Sequence, residues 1–307
     1  MQLPAAADWA WIPIVVWAAF AQTIRNAAQR TLVSGLGTLA ATLVRFLYGL
    51  PFAAAWLALI YRFSPAETGL PAFNWTYGAW LFLGATAQLA ATACLLAAMK
   101  QRNFIIGVTF SKTEVLQVGV FSTLFLHEWP SLLAAAAMVV ATVGVVLLSL
   151  PRKIAPATMQ WTGNAIWFGL ASGALFALSS VGYRGAALQL PQTSPWLIGA
   201  WAVLLAQALQ TALLGSWLAL RQPGILTALA KTWRLSLVAG LMGALASIGW
   251  LTAVALRPAV DVRTLGLVEV LFSYLVSRQL FRESMTRNEM LGLLLVTAGV
   301  LVICAQL

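Results

Sequence analysis

Apolar residues run through this chain in long blocks, and polar residues are largely confined to short breaks between them. Ten blocks stand out, at about 10–30, 37–60, 76–99, 104–126, 132–150, 162–184, 196–219, 234–256, 262–281 and 288–306. A helix needs roughly 20 apolar residues to cross the hydrocarbon core of a bilayer, and most blocks reach that length. None alternates polar and apolar residues over the roughly 10 positions of a barrel strand. The breaks carry Pro65 and Pro71, Pro130, Pro151 and Pro156, Pro191 and Pro195, Pro223, and Pro258. "TRNE" before the last block reads as a capping box, with Thr286 at the cap and Glu289 reaching back. The pattern predicts an all-α integral membrane protein with ten transmembrane helices.

Composition narrows this further. The 307 residues are 61% hydrophobic and 8% charged, with a mean hydropathy of +0.88. Soluble domains carry roughly 25% charge, and ten spans leave no room for one here. The opening "MQLPAAADWAW" lacks a basic leader and reads as the approach to a first span rather than a cleaved signal. A net charge of +10 raises the question of nucleic acid, but the basic residues stand singly between blocks. Without a basic run or stripe, they read as topology signals and surface anchors. The expected partners are therefore the lipid bilayer and a small-molecule substrate, not nucleic acid. Cys94 and Cys304 lie within apolar blocks without metal or redox spacing and read as packing residues.

Internal repetition is more informative than hydropathy. "TFSKTEVLQVG" from Thr109 and "TLGLVEVLFSY" from Thr264 match at one fixed spacing of 155 residues. That spacing links Thr109 to Thr264, Glu114 to Glu269, Val115 to Val270, Leu116 to Leu271, Glu128 to Glu283, Ser131 to Thr286 and Gly144 to Gly299. Looser matches join "GATAQLAATACLLA" to "GLMGALASIGWLTA" and "WLALIYR" to "WLALRQP". The chain thus reads as two five-helix repeats, at 1–151 and 152–307. Five is odd, so the second repeat must cross the membrane in the opposite sense. Inverted repeats are the architecture of many secondary transporters, with the substrate site near the midplane between them.

These residues resemble the ten-helix, EamA-type branch of the drug/metabolite transporter superfamily, across almost the whole chain. The resemblance is carried by the duplicated unit and by Glu128 and Glu283 closing the fourth span of each copy. "VGVVLL" and "AGVLVI" in the following helices, and "LVRFL" with Arg45 in the second span, add to it. It implies export of amino acids or other small metabolites across the cell's inner (plasma) membrane, as a monomer or homodimer. On orientation two readings differ. Odd-numbered connections carry Arg30, Lys100, Arg102, Arg152, Lys153, Arg221, Lys231, Arg234, Arg282 and Arg287, against Arg62, Arg184, Arg257 and Arg263 on the even ones. The positive-inside rule then puts both termini outside, whereas the resemblance implies both inside. Either way the termini share a side.

Charges inside spans cost about 2.5–3.5 kcal/mol each at a helix centre on insertion scales, so each needs a reason. Glu114 sits about 15 Å into span four at 1.5 Å per residue. It is a candidate for binding a substrate ammonium or carrying a proton; the alternative is a structural ion pair with Lys112 or Arg45. Lys112 and Glu114 are two apart and face different ways on a helix, so pairing with each other is disfavoured. Lys112 is a candidate partner for a substrate anion, or it snorkels to the surface. Glu269 reads equally as a coupling group and as part of a local network with Asp261 and Arg263. Arg45 reads as a structural pair. Glu128 and Glu283 read as structural, stabilised by the helix dipoles of spans five and ten. His127 has no ligand partners in view, and no metal is expected.

Among the tryptophans, Trp9, Trp11, Trp75, Trp129, Trp161 and Trp233 fall near span ends and read as interfacial anchors. Trp17, Trp80, Trp167 and Trp250 lie deeper and are candidate cavity walls, with core packing as the alternative. Gln88, Ser179 and Ser180 either orient substrate or bond between helices. Gly240, Gly243, Ala246 and Gly249 suit close helix approach. The first span lacks an acidic residue between Trp9 and Arg30, where the four-helix multidrug exporters of the same superfamily carry their coupling glutamate. No phosphate loop, metal cluster or nucleophile–base pair is present in the sequence, which argues against an ATP-driven pump and an enzyme; no cofactor is expected. The leading expectation is a secondary exporter of small polar metabolites such as amino acids, driven by protons or by exchange. The alternatives are a carrier of phosphorylated or nucleotide-linked anions, which Arg45 and Lys112 would suit, and a non-transporting scaffold subunit.

Overall fold

The computed structural model describes residues 9–63, 69–99, 110–149, 164–222, 224–272 and 287–305. All regular structure among them is helical: α1 (Trp11–Leu36), α2 (Thr38–Leu47), α3 (Leu50–Phe63), α4 (Trp75–Met99), α5 (Glu114–Leu126), α6 (Leu132–Ser149), α7 (Asn164–Leu188), α8 (Pro195–Arg221), α9 (Ile225–Lys231), α10 (Trp233–Leu256), α11 (Ala259–Leu265) and α12 (Arg287–Cys304). Among the described residues, six stretches are long and apolar enough to cross a membrane: Thr38–Phe63, Trp75–Leu95, Ile166–Leu188, Pro195–Arg221, Trp233–Leu256 and Arg287–Cys304. Large apolar side chains such as Phe63, Leu124, Leu132 and Leu220 are exposed, an outer surface suited to lipid rather than water. This is the build of a polytopic helical membrane protein. Glu283, Thr286, the repeat boundary at 151–152, the start of span four and the end of span nine lie outside the described residues.

Several boundaries have local causes absent from the hydropathy pattern. Span two is not one helix: α2 stops at Tyr48 and α3 begins at Leu50. Pro51 is the reason, since it lacks an N–H and its ring collides with the carbonyl four residues back. Gly49 fills the break because a Cβ there would lie 2.4 Å from the Arg45 carbonyl oxygen and 2.8 Å from Gln207 Oε1. α5 ends at His127, whose left-handed φ of 56° turns the chain. Ser131 caps α6, its hydroxyl accepting from the Ala134 amide at 3.0 Å. Arg184 serves α10 in the same way at the other end, donating from Nη1 to the carbonyls of Val254 at 2.8 Å and Ala255 at 3.2 Å.

Two compact units emerge. Unit 1 comprises Met1–Ile12, Ala87–Val181 and Pro258–Leu307, and unit 2 comprises Pro13–Thr86 and Gly182–Arg257. Each draws on both halves of the sequence, and the division falls within α4 and within α7. In unit 1, α6 lies on α12 at backbone contact. A Cβ on Gly144 would come 2.7 Å from the Gly292 carbonyl oxygen, and one on Gly299 would come 2.8 Å from that of Ala137. Small residues permit such an approach between membrane helices. In unit 2, Leu43 and Val44 of α2, Leu218 of α8, Leu229 of α9 and Ala239 of α10 form one core cluster. Leu57 and Ile60 of α3 meet Leu197 and Ala200 of α8 in another.

Trp9, Trp75, Trp129 and Trp233 are exposed, whereas Trp11 is only 2% exposed. Trp11 is therefore a core residue and not the interfacial anchor its position predicts. Trp161 lies outside the described residues.

Candidate functional site

Two clusters of polar side chains stand out, one in each unit. The first surrounds Glu114. Span four breaks at Lys112 and Thr113, and the helix restarts at Glu114. The break has a local cause: the Thr113 hydroxyl and amide both turn back to the Phe110 carbonyl, at 2.7 and 3.2 Å, a three-residue closure that competes with the helical ladder. Gln117 then donates to Thr113 Oγ1 at 3.0 Å. Gly173 of α7 packs on this kink; a Cβ there would be 3.1 Å from the Ser111 carbonyl oxygen. Glu114 thus opens α5, where the helix dipole favours a carboxylate.

The carboxylate of Glu114 accepts from Nη2 of Arg263 on α11 in an ion pair. Arg263 is the partner, rather than Lys112 or Arg45. Glu269 is also near enough to act on the Arg263 charge. It follows a second two-residue break, at Gly266 and Leu267, where the Leu267 amide reaches back to Thr264 and the Glu269 amide to Gly266. The two breaks lie 154 residues apart, within one residue of the repeat spacing. Lys112 is half-buried in the first break.

The second cluster lies in unit 2. Gln22, Arg25 and Gln29 recur on one face of α1, at helical spacing. Gln22 Oε1 accepts from Trp250 Nε1 at 3.1 Å. Gln29 donates to the Ala41 carbonyl at 2.7 Å. Arg25 is 8% exposed and donates from Nη2 and Nε to Asn26 Oδ1 at 2.8 and 3.3 Å. Arg45 of α2 converges on the same place. A Cβ on Gly243 of α10 would lie 3.3 Å from Arg45 Cβ and 3.4 Å from Arg25 Cδ. The Arg45 guanidinium sits 4.3 Å from the centroid of the Phe46 ring, and its Nε is buried without a hydrogen-bond partner. Arg25 acts on it as a like charge, and the Tyr183 hydroxyl is also within electrostatic reach. Gln210 of α8 donates to Tyr183 Oη at 3.4 Å and to the Ala85 carbonyl at 3.1 Å. Gln207, one turn away, has a buried Oε1 with no partner.

No Asp or Glu occurs among the described residues of unit 2; Glu67, within 64–68, lies outside them. The structural pair predicted for Arg45 is therefore replaced by a neighbouring arginine and an aromatic face. Arg25 was overlooked because it falls near the end of the first apolar block. The three-residue spacing of Gln22 and Arg25 and the four-residue spacing to Gln29 were the signal that could have found it.

The other candidates scatter. Trp250 is buried and held by Gln22. Trp80 packs its ring on Gly185 of α7, where a Cβ would be 2.6 Å away. Trp17 and Trp167 are 48% and 73% exposed, without the enclosure a stacking wall requires. Ser180 bonds back to the Phe176 carbonyl at 3.1 Å, and Gln88 is half-buried on α4. A cleft of about 540 Å³ opens elsewhere, at the ends of α1 and α10, lined by Thr31, Leu36, Lys231, Trp233 and Arg234 among others.

No protein-family model matches the chain, and no curated protein does. Among solved structures, one described as "Crystal structure of protein" superimposes with a TM-score of 0.67 at 15% identity. The match covers 97% of this chain and 96% of that one. At that identity the likeness defines the fold alone.

Proposed function

We propose that this chain is a secondary transporter of small polar metabolites, such as amino acids, working by alternating access between two inverted five-helix repeats of the drug/metabolite type. The observation that carries the reading is the pair of matched helix breaks before Glu114 and Glu269, joined through Arg263. Interrupted helices at corresponding places in two halves are the best pointer to a transporter's binding region. The inverted relation has support of its own. α6 at Leu132–Ser149 and α12 at Arg287–Cys304 have the same bounds, shifted by 155. Their contacts are also reciprocal: Gly144 meets Gly292, and the positions 155 later and earlier, Gly299 and Ala137, meet as well. Related elements packed about a twofold axis repeat a contact in that way.

On orientation, two of the four even-side arginines have structural tasks, Arg184 at the end of α10 and Arg263 with Glu114. Setting them aside favours the reading in which the odd-numbered connections face the cytoplasm.

Counterflow in proteoliposomes tests the proposal, using panels of amino acids, phosphorylated metabolites and cationic drugs. Saturable flux of at least one class is expected. Absence of flux for every panel, with folded protein in the vesicles, would sink the carrier reading and leave the scaffold alternative.

A further inference from the structure

We propose that the cleft where α1 ends and α10 begins is a binding site for the headgroup of an anionic phospholipid. The cleft lies wholly within unit 2. Its level in the bilayer follows from the spans around it. Thr38–Phe63 and Trp233–Leu256 begin beside it, and Pro195–Arg221 ends at the same level. These three ends lie on one side, because Leu43, Ala239 and Leu218, each within two turns of its own end, share one core cluster. The cleft therefore opens where hydrocarbon gives way to headgroups. Trp233, 52% exposed at the first position of α10, is a residue type that settles at that boundary.

The lining suits negative charge. Lys231 and Arg234 both face the cleft, and no Asp or Glu stands among the described residues of unit 2. The ammonium of a zwitterionic headgroup would find no carboxylate within the unit. Nor is the Trp233 ring free to take it, since the Arg234 guanidinium already sits 5.5 Å from its centroid. On the α1 side, the Thr31 and Ser34 hydroxyls donate to the Ala27 and Thr31 carbonyls, at 3.4 and 2.8 Å. Their oxygens remain as acceptors, which suits a headgroup that carries hydroxyls, as phosphoglycerol does. The volume of about 540 Å³ falls within the roughly 300–1,000 Å³ of small-ligand sites. One turn further along the same face of α10 as Trp233 and Arg234, Leu237 and Val238 are exposed and continue the site as an apolar track for acyl chains. Arg62 and Arg221 also stand at span ends, but neither lines such a cleft. The orientation favoured above puts this end on the cytoplasmic side, whose anionic leaflet attracts basic segments.

Thermal unfolding of the full chain in a neutral detergent, followed by tryptophan fluorescence at constant ionic strength, tests this. Phosphatidylglycerol should raise the midpoint saturably. Phosphatidylcholine should need at least tenfold more for the same shift, and inorganic phosphate should give none. Lys231→Gln with Arg234→Gln should weaken the phosphatidylglycerol response at least tenfold. Arg62→Gln with Arg221→Gln, which removes the same charge from exposed residues outside the cleft, should weaken it less than twofold. Gly35→Leu keeps every charge. Gly35 lines the cleft, and a Cβ there meets nothing within 4 Å, so the larger side chain takes up headgroup space and should weaken the response severalfold.

The proposal is overturned if phosphatidylcholine stabilises as well as phosphatidylglycerol, or if the Lys231 and Arg234 substitutions respond no worse than those at Arg62 and Arg221. An unchanged response in Gly35→Leu overturns it too. So does a saturable shift with inorganic phosphate that the Lys231 and Arg234 substitutions abolish, because the cleft would then hold a free anion. The site needs only the membrane setting: lipid binding without counterflow would leave it standing and sink the carrier reading alone.

Discussion

Unit 1 sets Arg263 against Glu114, with Glu269 close by, whereas unit 2 buries Arg25 beside Arg45 with no acidic residue among its described residues. Both arrangements place arginine in apolar surroundings, yet they ask different things of it. In unit 1 the charges answer one another, so the group is complete as folded. In unit 2 two like charges lie within reach of one another.

The largest expected effect lies in unit 1. Replacing Glu114 by Gln removes the carboxylate to which Arg263 donates in a part-buried pair and should cost about 1.5–3 kcal/mol, the range for a hydrogen bond to a charged group. Unfolding midpoints check this, and the double variant Glu114→Gln with Arg263→Gln should recover most of the loss. Equal losses in the single and double variants would show that Glu114 acts elsewhere.

Next comes the α6–α12 contact, where Gly144→Ala and Gly299→Ala must each push backbone apart. Overpacking of this kind costs about 1–3 kcal/mol. Reciprocal contacts should give similar values for the two sites, measured by the same unfolding assay; a twofold difference in cost would weaken the case for symmetry.

At the small end, Trp167→Ala should change the unfolding midpoint by less than about 0.5 kcal/mol in stability, as expected of an exposed site. A larger loss would show that Trp167 packs against the protein.

Fold class was legible because length and apolar composition alone select membrane helices, and the 155-residue spacing survived at rare residues such as Glu114 and Glu269. The caps and kinks were less so. Pro51 sits inside an apolar run and does not lower its hydropathy, so the pattern carries no sign of the break at Tyr48–Gly49. The break before Glu114 rests on one threonine side chain folding back on Phe110, which no periodicity reveals. Partnership was the least legible. Arg263 lies 149 residues from Glu114, and only the packing of α11 brings them together. Arg25 and Arg45 are separated by 20 positions, and their convergence depends on a glycine in α10, nearly 200 residues further on.

The most direct test of this contrast is the ligand-free unfolding midpoint of Glu114→Gln and Arg45→Gln measured side by side in one detergent. The account requires opposite signs: a lower midpoint for Glu114→Gln and a higher one for Arg45→Gln. Midpoints that fall in both variants would contradict it.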